Sequence, residues 1–279
     1  MPHIFRSQDI RGEFILLGSG TSVGVPVLGC GCSVCLSSDP RNKRTRCSAI
    51  LGLPHGNLLI DTPPDLRAQL LREGIGVVHA VVFTHEHADH IFGLDDLRLF
   101  PFVLKSAVPL YCEPLVEDRI RRSFDYAFKQ SPSTHPGAIP RLELISIGTA
   151  PVEILGAEVH PLRMIHGPNY QTLGFRIGNI AYCTDTNGIP PASLQLLAGV
   201  EYLILDALRF EPHPTHFHLA AALEVVAQVK ARHTYLTHLS HEFDHQTMHT
   251  TLPADVSLAY DGLRLPLRMD DENVSSAKH

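Results

Sequence analysis

The chain has 279 residues, 44% hydrophobic and 19% charged, so it can bury a large core. Its net charge of −6, with histidine counted as neutral, excludes a global positive field that would recruit nucleic acid. No apolar run is long enough to span a bilayer, and the first residues lack the apolar core of a signal peptide. Six cysteines without such a signal favour a reducing, cytoplasmic location and thiolate chemistry rather than disulfides.

The first predicted strand covers residues 13–17 and leads into a glycine-rich loop at residues 18–24. Such a loop can place backbone N–H groups against a phosphate, but a plain tight loop is the simpler interpretation. No Gly-Lys-Ser/Thr follows, so the pattern is not that of a P-loop.

Three cysteines, Cys30, Cys32 and Cys35, follow within six residues. Thiolates at this density on a glycine-rich backbone can wrap one tetrahedral zinc ion, which needs a fourth protein ligand in a structural site. A redox pair or three inert thiols are the alternatives. The candidates for the fourth ligand are Cys47, Cys112, Cys183 or a distant histidine.

A hairpin is predicted over residues 47–60, and Asp61 follows it directly. An acid at the end of a buried strand needs a partner. We therefore expect Asp61 to orient a metal-binding histidine through a hydrogen bond. An amphipathic helix is predicted next, over residues 65–73.

The strongest signal is the segment THEHADH at residues 84–90, which follows a short apolar strand. His85 and His87 are two residues apart and point the same way in an extended chain. Asp89 and His90 stand at the start of a predicted helix over residues 91–100. Imidazole and carboxylate groups suit zinc, iron or manganese, so this spacing predicts a metal site rather than a histidine-rich surface loop.

The rest of the chain alternates strands and helices. Strands are predicted over residues 109–112, 141–147, 152–162, 172–177, 179–183, 201–205, 233–237, 256–259 and 263–267, and helices over residues 113–129 and 219–230. Arg119, Arg121 and Arg122 lie on the polar side of the first of these helices and are expected to face solvent. We predict one domain over residues 1–268, built from two halves with a seam near residues 131–140, and a polar tail over residues 269–279.

Polar residues stand at the ends of several later strands. His166 precedes a turn, while Asp185 and Asp206 each end a buried strand and could cap the next helix. Asp185 is also a candidate metal ligand. His85 with His87 and Asp89 with His90 form two ligand sets, and two adjacent cations held by them would need a bridging carboxylate. His216 lies just before a helix, where it is either a helix cap or a candidate proton donor. His238 follows another strand.

His238 and His241 are one helical turn apart in THLSH. A two-site interpretation is economical here: His238 would serve the catalytic pair of metals, and His241 would complete the three-cysteine zinc site.

THEHADH, followed by His166, Asp185 and His238 in that order, resembles the metallo-β-lactamase superfamily. The match runs from about Phe14 to Leu267. GCGCSVC together with THLSHEFD is similar to the PhnP-type phosphoribosyl 1,2-cyclic phosphate phosphodiesterases. The resemblance implies an α/β fold, a four-layer αββα sandwich.

The resemblance also implies the roles of individual residues. The first catalytic metal would be held by His85, His87 and His166. The second would be held by Asp89, His90 and His238, with Asp185 bridging the two. A structural zinc would be held by Cys30, Cys32, Cys35 and His241. His216 would assist catalysis as a proton donor, beside Asp89 at the metal centre.

The expected function is a dinuclear phosphodiesterase with two zinc or manganese ions and one structural zinc. Its substrate would be a small anionic diester such as a ribose 1,2-cyclic phosphate. The alternatives are a tRNase Z-type RNA endonuclease, an acyl hydrolase acting on lactones, thioesters or β-lactams, and a protein like coenzyme PQQ synthesis protein B. The acidic charge argues against a nucleic acid partner, no membrane partner is expected, and a homodimer is expected from the family alone.

Overall fold

A computed structural model of the chain describes residues 6–129 and 139–269. Two seven-stranded mixed sheets pack face to face, and helices cover the outer face of each. This is the four-layer αββα sandwich that the resemblance implies. Most of the predicted seam at residues 131–140 and nearly all of the predicted tail at residues 269–279 lie outside the described residues.

The first sheet combines the N-terminal half of the chain with its last strand. Its strands are β1 Glu13–Gly18, β2 Ser48–Leu53, β3 Gly56–Ile60, β4 Ala80–Val82, β5 Val108–Cys112, β6 Leu142–Ser146 and β14 Leu263–Pro266. Their order in the sheet is β14-β1-β2-β3-β4-β5-β6. The pairs from β14 to β3 are antiparallel, and those from β3 to β6 are parallel.

The second sheet follows the same plan. Its strands are β7 Val152–Ile154, β8 Ala157–His166, β9 Tyr170–Ile177, β10 Ile180–Cys183, β11 Tyr202–Asp206, β12 His233–Thr237 and β13 Val256–Leu258. Their order is β13-β12-β11-β10-β9-β8-β7. The pairs from β7 to β10 are antiparallel, whereas those from β10 to β13 are parallel. The carboxyl ends of the parallel strands therefore meet at one edge.

The α-helices are short. They are α1 Ser33–Leu36, α2 Leu66–Arg72, α3 Ala88–Ile91, α4 Phe100–Leu104, α5 Pro114–Ser123, α6 Asp125–Phe128, α7 Pro191–Leu196, α8 Leu219–Val229 and α9 His245–Met248, and 3-10 helices cover Pro40–Asn42 and Leu94–Leu99. Within the described ranges, no helix combines the length and the apolar character that crossing a bilayer requires.

The layering follows from the alternation of side chains along each strand. In β1, Phe14 and Leu16 join the apolar cluster between the two sheets, whereas Ile15 and Leu17 join the cluster beneath the helices. All four side chains are fully buried. Because such strands are covered on both faces, they appear in the sequence as continuous apolar runs rather than as alternating patterns.

Two predicted helices differ from those observed. The helix predicted over residues 91–100 is α3 followed by the 3-10 helix, because the Gly93 amide donates to the Thr62 carbonyl and the chain passes tightly over Pro63. The helix predicted over residues 113–129 is interrupted at Phe124. Its backbone leaves the helical region (φ −120°, ψ 41°) where its ring packs against Phe92.

Candidate metal centre

The candidate site lies where strands of both sheets end. β4 leads into the loop that carries His85, and β8 ends at His166 in the other sheet. β10 and β12, which both pair with β11, lead to Asp185 and His238. The sheet topology thereby brings together residues that are up to about 150 positions apart in the sequence.

The side chains predicted to bind metal form two groups. One contains His85, His87 and His166; the other contains Asp89, His90, Asp185 and His238. In each group the potential ligand atoms all lie within 4.8 Å of one another. Every residue predicted for the catalytic pair is therefore at this site.

Asp185 lies between the two groups. Its Oδ1 is 3.3 Å from Nε2 of His90, and its Oδ2 is 3.4 Å from Nε2 of His238. Oδ2 is also 3.9 Å from Nε2 of His85, which belongs to the other group. The carboxylate is thus placed to contact cations in both groups.

The nitrogen atoms of this site fit metal ions. Nε2 of His85, Nε2 of His90 and both ring nitrogens of His238 are buried without a hydrogen-bond partner. A buried polar atom without a partner is costly, whereas imidazole nitrogen is a common ligand of zinc and manganese. Burial lowers the pKa of His85 and of His238, which keeps these rings in the neutral, metal-binding form.

The charge of the site also fits cations. Burial disfavours the charged form of His90, but Asp185, Asp89 and Asp61 surround it and raise its pKa well above the ordinary value. All three carboxylates lie in or beside the second ligand group. Such a concentration of buried negative charge is what divalent cations neutralise.

Hydrogen bonds fix the orientation of the ligand rings. Asp61 is fully buried, and its Oδ2 lies 2.7 Å from Nδ1 of His90. The Thr84 N–H and hydroxyl donate to Asp61 at 2.8 and 2.7 Å. Nδ1 of His166 donates to the Thr215 carbonyl at 2.8 Å. Asp61 thus makes the contact with a histidine that its position at a strand end predicts.

Three of the strand-end residues have strained backbones. Asp61, Asp185 and His238 have φ values of 64°, 51° and 57°, in the left-handed region that residues other than glycine rarely adopt. A residue held in this region costs about 1–3 kcal/mol, and such residues concentrate at functional sites. In this backbone conformation the three side chains point away from the line of their strands and into the site.

His216 and Asp206 form a pair at the edge of the site. Nδ1 of His216 lies 2.7 Å from Oδ2 of Asp206, which also accepts the Thr186 N–H at 2.8 Å. The His216 ring stacks on His238, with the ring centroids 4.5 Å apart and an interplanar angle of 11°. Although burial opposes the charged form, Asp206 raises the pKa of His216 to about 9.

Asp206 has a role that its sequence context does not reveal. Its position at a strand end, shared with Asp61 and Asp185, is the available signal, but this position is equally compatible with a helix cap. No helix of the described chain begins directly after Asp206; its carboxylate orients His216 instead. His213 packs against His216, and its Nδ1 accepts the Thr215 N–H. His218 precedes α8 without a side-chain capping bond.

The three-cysteine cluster meets His241. The sulfur atoms of Cys30, Cys32 and Cys35 lie 3.2, 3.5 and 3.7 Å from Nδ1 of His241. Zn–S and Zn–N bonds of ordinary length in a tetrahedron separate sulfur and nitrogen by about 3.5 Å. The donor set therefore fits zinc. The other candidates for the fourth ligand, Cys47, Cys112 and Cys183, are buried elsewhere.

The loop that carries His241 is firmly anchored. Arg44, only 1% exposed, donates to the carbonyls of Ser240 at 2.9 Å and Phe243 at 2.7 Å. In the glycine-rich loop, the amides of Gly20 and Thr21 donate to backbone carbonyls. These two amides are therefore engaged by neighbouring backbone and are not available to a phosphate.

Comparisons with known proteins find similarity over most of the chain. Residues 56–239 match the Beta-lactamase superfamily domain. The crystal structure of a diphosphatase from the PhnP family is similar with a TM-score of 0.84 and 42% identity, covering 91% of this chain and 96% of that one. Zinc-bound PqqB from Methylobacterium extorquens has a TM-score of 0.73 at 18% identity, covering 91% of this chain and 100% of that one, a likeness of fold alone.

A relative with a different name is an octanoyltransferase of Porphyromonas gingivalis. It is 40% identical over 253 residues, which cover 89% of this chain and 50% of that protein. The chain therefore spans about half the length of this relative.

Proposed function

Because this chain belongs to the metallo-β-lactamase superfamily of hydrolases and is PhnP-like, we propose that it is a metal-dependent phosphodiesterase. The observation that carries the proposal is the position of Asp185, whose carboxylate lies between the two ligand groups. A carboxylate placed in this way can hold two cations side by side. Paired cations serve in-line displacement at phosphorus in phosphatases and nucleases.

The residues would divide between three metal ions. One catalytic cation would be held by His85, His87 and His166. The other would be held by Asp89, His90 and His238, with Asp185 shared between the two. A structural zinc would be held by Cys30, Cys32, Cys35 and His241. When bound, zinc or manganese at the catalytic pair stabilises charge on phosphate oxygens and makes water available as a nucleophile near neutral pH.

His216 would supply the proton that the leaving group needs. Its Nδ1 is engaged by Asp206, so Nε2 is the nitrogen left to donate. As the P–O bond breaks, its electron pair stays on the departing oxygen, and that oxygen takes the proton from Nε2. Asp206 stabilises the charged ring before the transfer and holds it in one orientation. Asp89 acts in this scheme through its place among the metal ligands.

A small cyclic diester such as a ribose 1,2-cyclic phosphate is the substrate we propose. Its single negative charge suits a cationic site, and its leaving oxygen stays tethered to the product. The similarity to a PhnP-family diphosphatase at 42% identity supports phosphorus chemistry over other uses of the fold. The net charge of −6 favours a small substrate over RNA.

Acyl ester or thioester hydrolysis at the same metals is the second candidate. The relative named octanoyltransferase favours it, because that name describes acyl chemistry. The match covers only half of that protein, so the acyl chemistry can reside in the part that this chain does not match. An octanoyl thioester therefore belongs in the substrate panel.

The test combines metal analysis with that panel. We expect the purified protein to contain zinc or manganese and to hydrolyse bis-p-nitrophenyl phosphate and a ribose 1,2-cyclic phosphate faster than an octanoyl thioester. Asp185→Asn should lose both catalytic metal and diester hydrolysis. Asp118→Asn, on the exposed surface of α5, is the matched control and should keep both. Full turnover by Asp185→Asn would overturn the proposal, and preference for the thioester would favour the acyl hydrolase.

A further inference from the structure

Thr84, the first residue of THEHADH, contacts ligands of both metal groups through one hydroxyl group. Its side chain is buried, with 1% exposed. Oγ1 of Thr84 lies 2.7 Å from Oδ2 of Asp61 and 2.9 Å from Nδ1 of His85. The same Oδ2 of Asp61 lies 2.7 Å from Nδ1 of His90. Since His85 and His90 belong to different ligand groups, Thr84 and Asp61 form a chain of hydrogen bonds that joins the two groups.

The direction of each of these hydrogen bonds follows from the groups that make it. A carboxylate only accepts, so the Thr84 hydroxyl donates its one proton to Asp61. The hydroxyl oxygen then has only lone pairs left, so Nδ1 of His85 donates to it. By the same rule, Nδ1 of His90 donates to Asp61. When neutral, both rings therefore carry their proton on Nδ1 and leave Nε2 unprotonated.

The two Nε2 atoms are the ones that face the candidate metal centre. Both are buried and have no hydrogen-bond partner among the residues that the structure describes. Asp185, which lies between the ligand groups, is 3.9 Å from Nε2 of His85 and 3.3 Å from Nε2 of His90. An unprotonated imidazole nitrogen is the form that binds zinc or manganese. One hydroxyl and one carboxylate thus set the metal-binding form of one ring in each group.

The backbone holds Thr84 and Asp61 in register. Asp61 follows β3 and Thr84 lies just beyond β4, and these strands pair in parallel. The Thr84 N–H donates to Oδ1 of Asp61 at 2.8 Å, which is a second bond between the same two residues. The Thr84 carbonyl accepts the N–H of Leu173, in the other sheet, at 2.9 Å. The hydroxyl is therefore fixed relative to ligands that come from both sheets.

A threonine near a strand end can also serve packing alone. Thr234 in β12 is such a case, because it is 1% exposed and its hydroxyl has no hydrogen-bond partner within the described ranges. Burial of a threonine in this fold therefore does not by itself impose the contacts that Thr84 makes. This difference also makes Thr234 a matched control for the removal of a buried hydroxyl group.

Resting on the proposed function, we propose that Thr84 is a positioning residue that sets the affinity of both catalytic cations. It acts on one cation through His85 directly and on the other through Asp61 and His90. Without the hydroxyl, Nδ1–H of His85 has no acceptor and Asp61 loses one of its donors. Both ligand rings then lose part of the contact that fixes their orientation and the position of their proton.

The first experiment titrates protein depleted of its catalytic metals with manganese, followed by calorimetry. Manganese is the titrant because thiolate ligands select zinc, so the signal reports the imidazole and carboxylate ligands. We expect Thr84→Val to weaken the binding of both cations by about 10- to 100-fold and Thr84→Ser to restore most of the loss. Thr234→Val should keep the wild-type affinities. Unchanged binding in Thr84→Val, or a loss at one cation alone, would overturn the shared role.

The second experiment needs no variant of Thr84 to fold. Nitrogen NMR of the histidine-labelled wild type distinguishes rings protonated on Nδ1 from rings protonated on Nε2, and His85→Gln and His90→Gln assign the two signals by their loss. We expect the Nδ1–H form for both rings at a pH where they are neutral. The Nε2–H form of His85 would overturn the proposal. Failure of the proposed function looks different: the loaded wild type would hydrolyse no phosphodiester, while the metal affinities and the ring protonation would still decide the role of Thr84.

Discussion

The carboxylate of Asp206 lies 2.7 Å from Nδ1 of His216, and the His216 ring in turn stacks on His238. The two residues come from different parts of the fold: Asp206 ends β11, and His216 lies in the loop before α8. The contact explains how a buried histidine beside other histidines can carry a proton. It also links the pH dependence of the proposed reaction to one carboxylate.

The pH profile should reveal this pair. A proton donor acts only while protonated, so activity should fall as the pH rises through the pKa of His216, which Asp206 raises to about 9. Asp206→Asn removes the negative charge, lowers the pKa of His216 and should move the alkaline limb of kcat/KM toward lower pH by about one unit or more. Coincident alkaline limbs for Asp206→Asn and wild type would show that His216 is not the group observed.

His216 should matter most for poor leaving groups. His216→Gln removes the proton donor, and we expect kcat to fall by about 10²- to 10⁴-fold for a diester with an alkoxide leaving group. The loss should be much smaller for bis-p-nitrophenyl phosphate, because p-nitrophenolate departs without a proton. Steady-state kinetics on both substrates gives the comparison. Equal losses on both would point to a role of His216 in binding or metal retention instead.

The parts of this site that the sequence revealed are those with local signals. THEHADH places four ligands within six residues, and Asp185 is conspicuous because it ends a buried apolar strand. The role of Asp206 was missed, although it also ends a strand, because its partner is ten residues away and nothing in the intervening sequence distinguishes a cap from a histidine contact.

Tertiary contacts explain the other differences. The helix predicted over residues 113–129 is interrupted where the Phe124 ring packs on Phe92, a contact that helical periodicity does not encode. Arg119 is exposed, as the polar pattern of α5 predicts, but it also lines a cavity beside His87 that this pattern does not reveal. Its place on the cavity beside His87 follows from how α5 docks on the sheet, which depends on distant residues such as Arg163.

Asp61 should control metal affinity without touching the metal. The hydrogen bond to Asp61 orients the His90 ring and restricts its rotation. Asp61→Asn would weaken this bond. Changes of this kind typically reduce metal affinity by about 10- to 100-fold. Titration of the metal-depleted protein with zinc or manganese measures the effect, and Asp118→Asn is the exposed control. Unchanged affinity in Asp61→Asn would mean that the orientation of His90 does not depend on this bond.

Loss of the three-cysteine site should affect stability and activity together. Cys35→Ser removes one ligand, so the protein should contain one zinc ion fewer per chain and unfold at a lower temperature. Activity should fall as well, because His241 shares a loop with His238, three residues earlier, and Arg44 binds the carbonyl of Ser240 between them. Cys183→Ser is the matched control: this thiol is fully buried in β10, away from the cluster, so its replacement should cost some stability and leave the zinc content unchanged. Wild-type zinc content in Cys35→Ser would contradict a zinc site held by these cysteines.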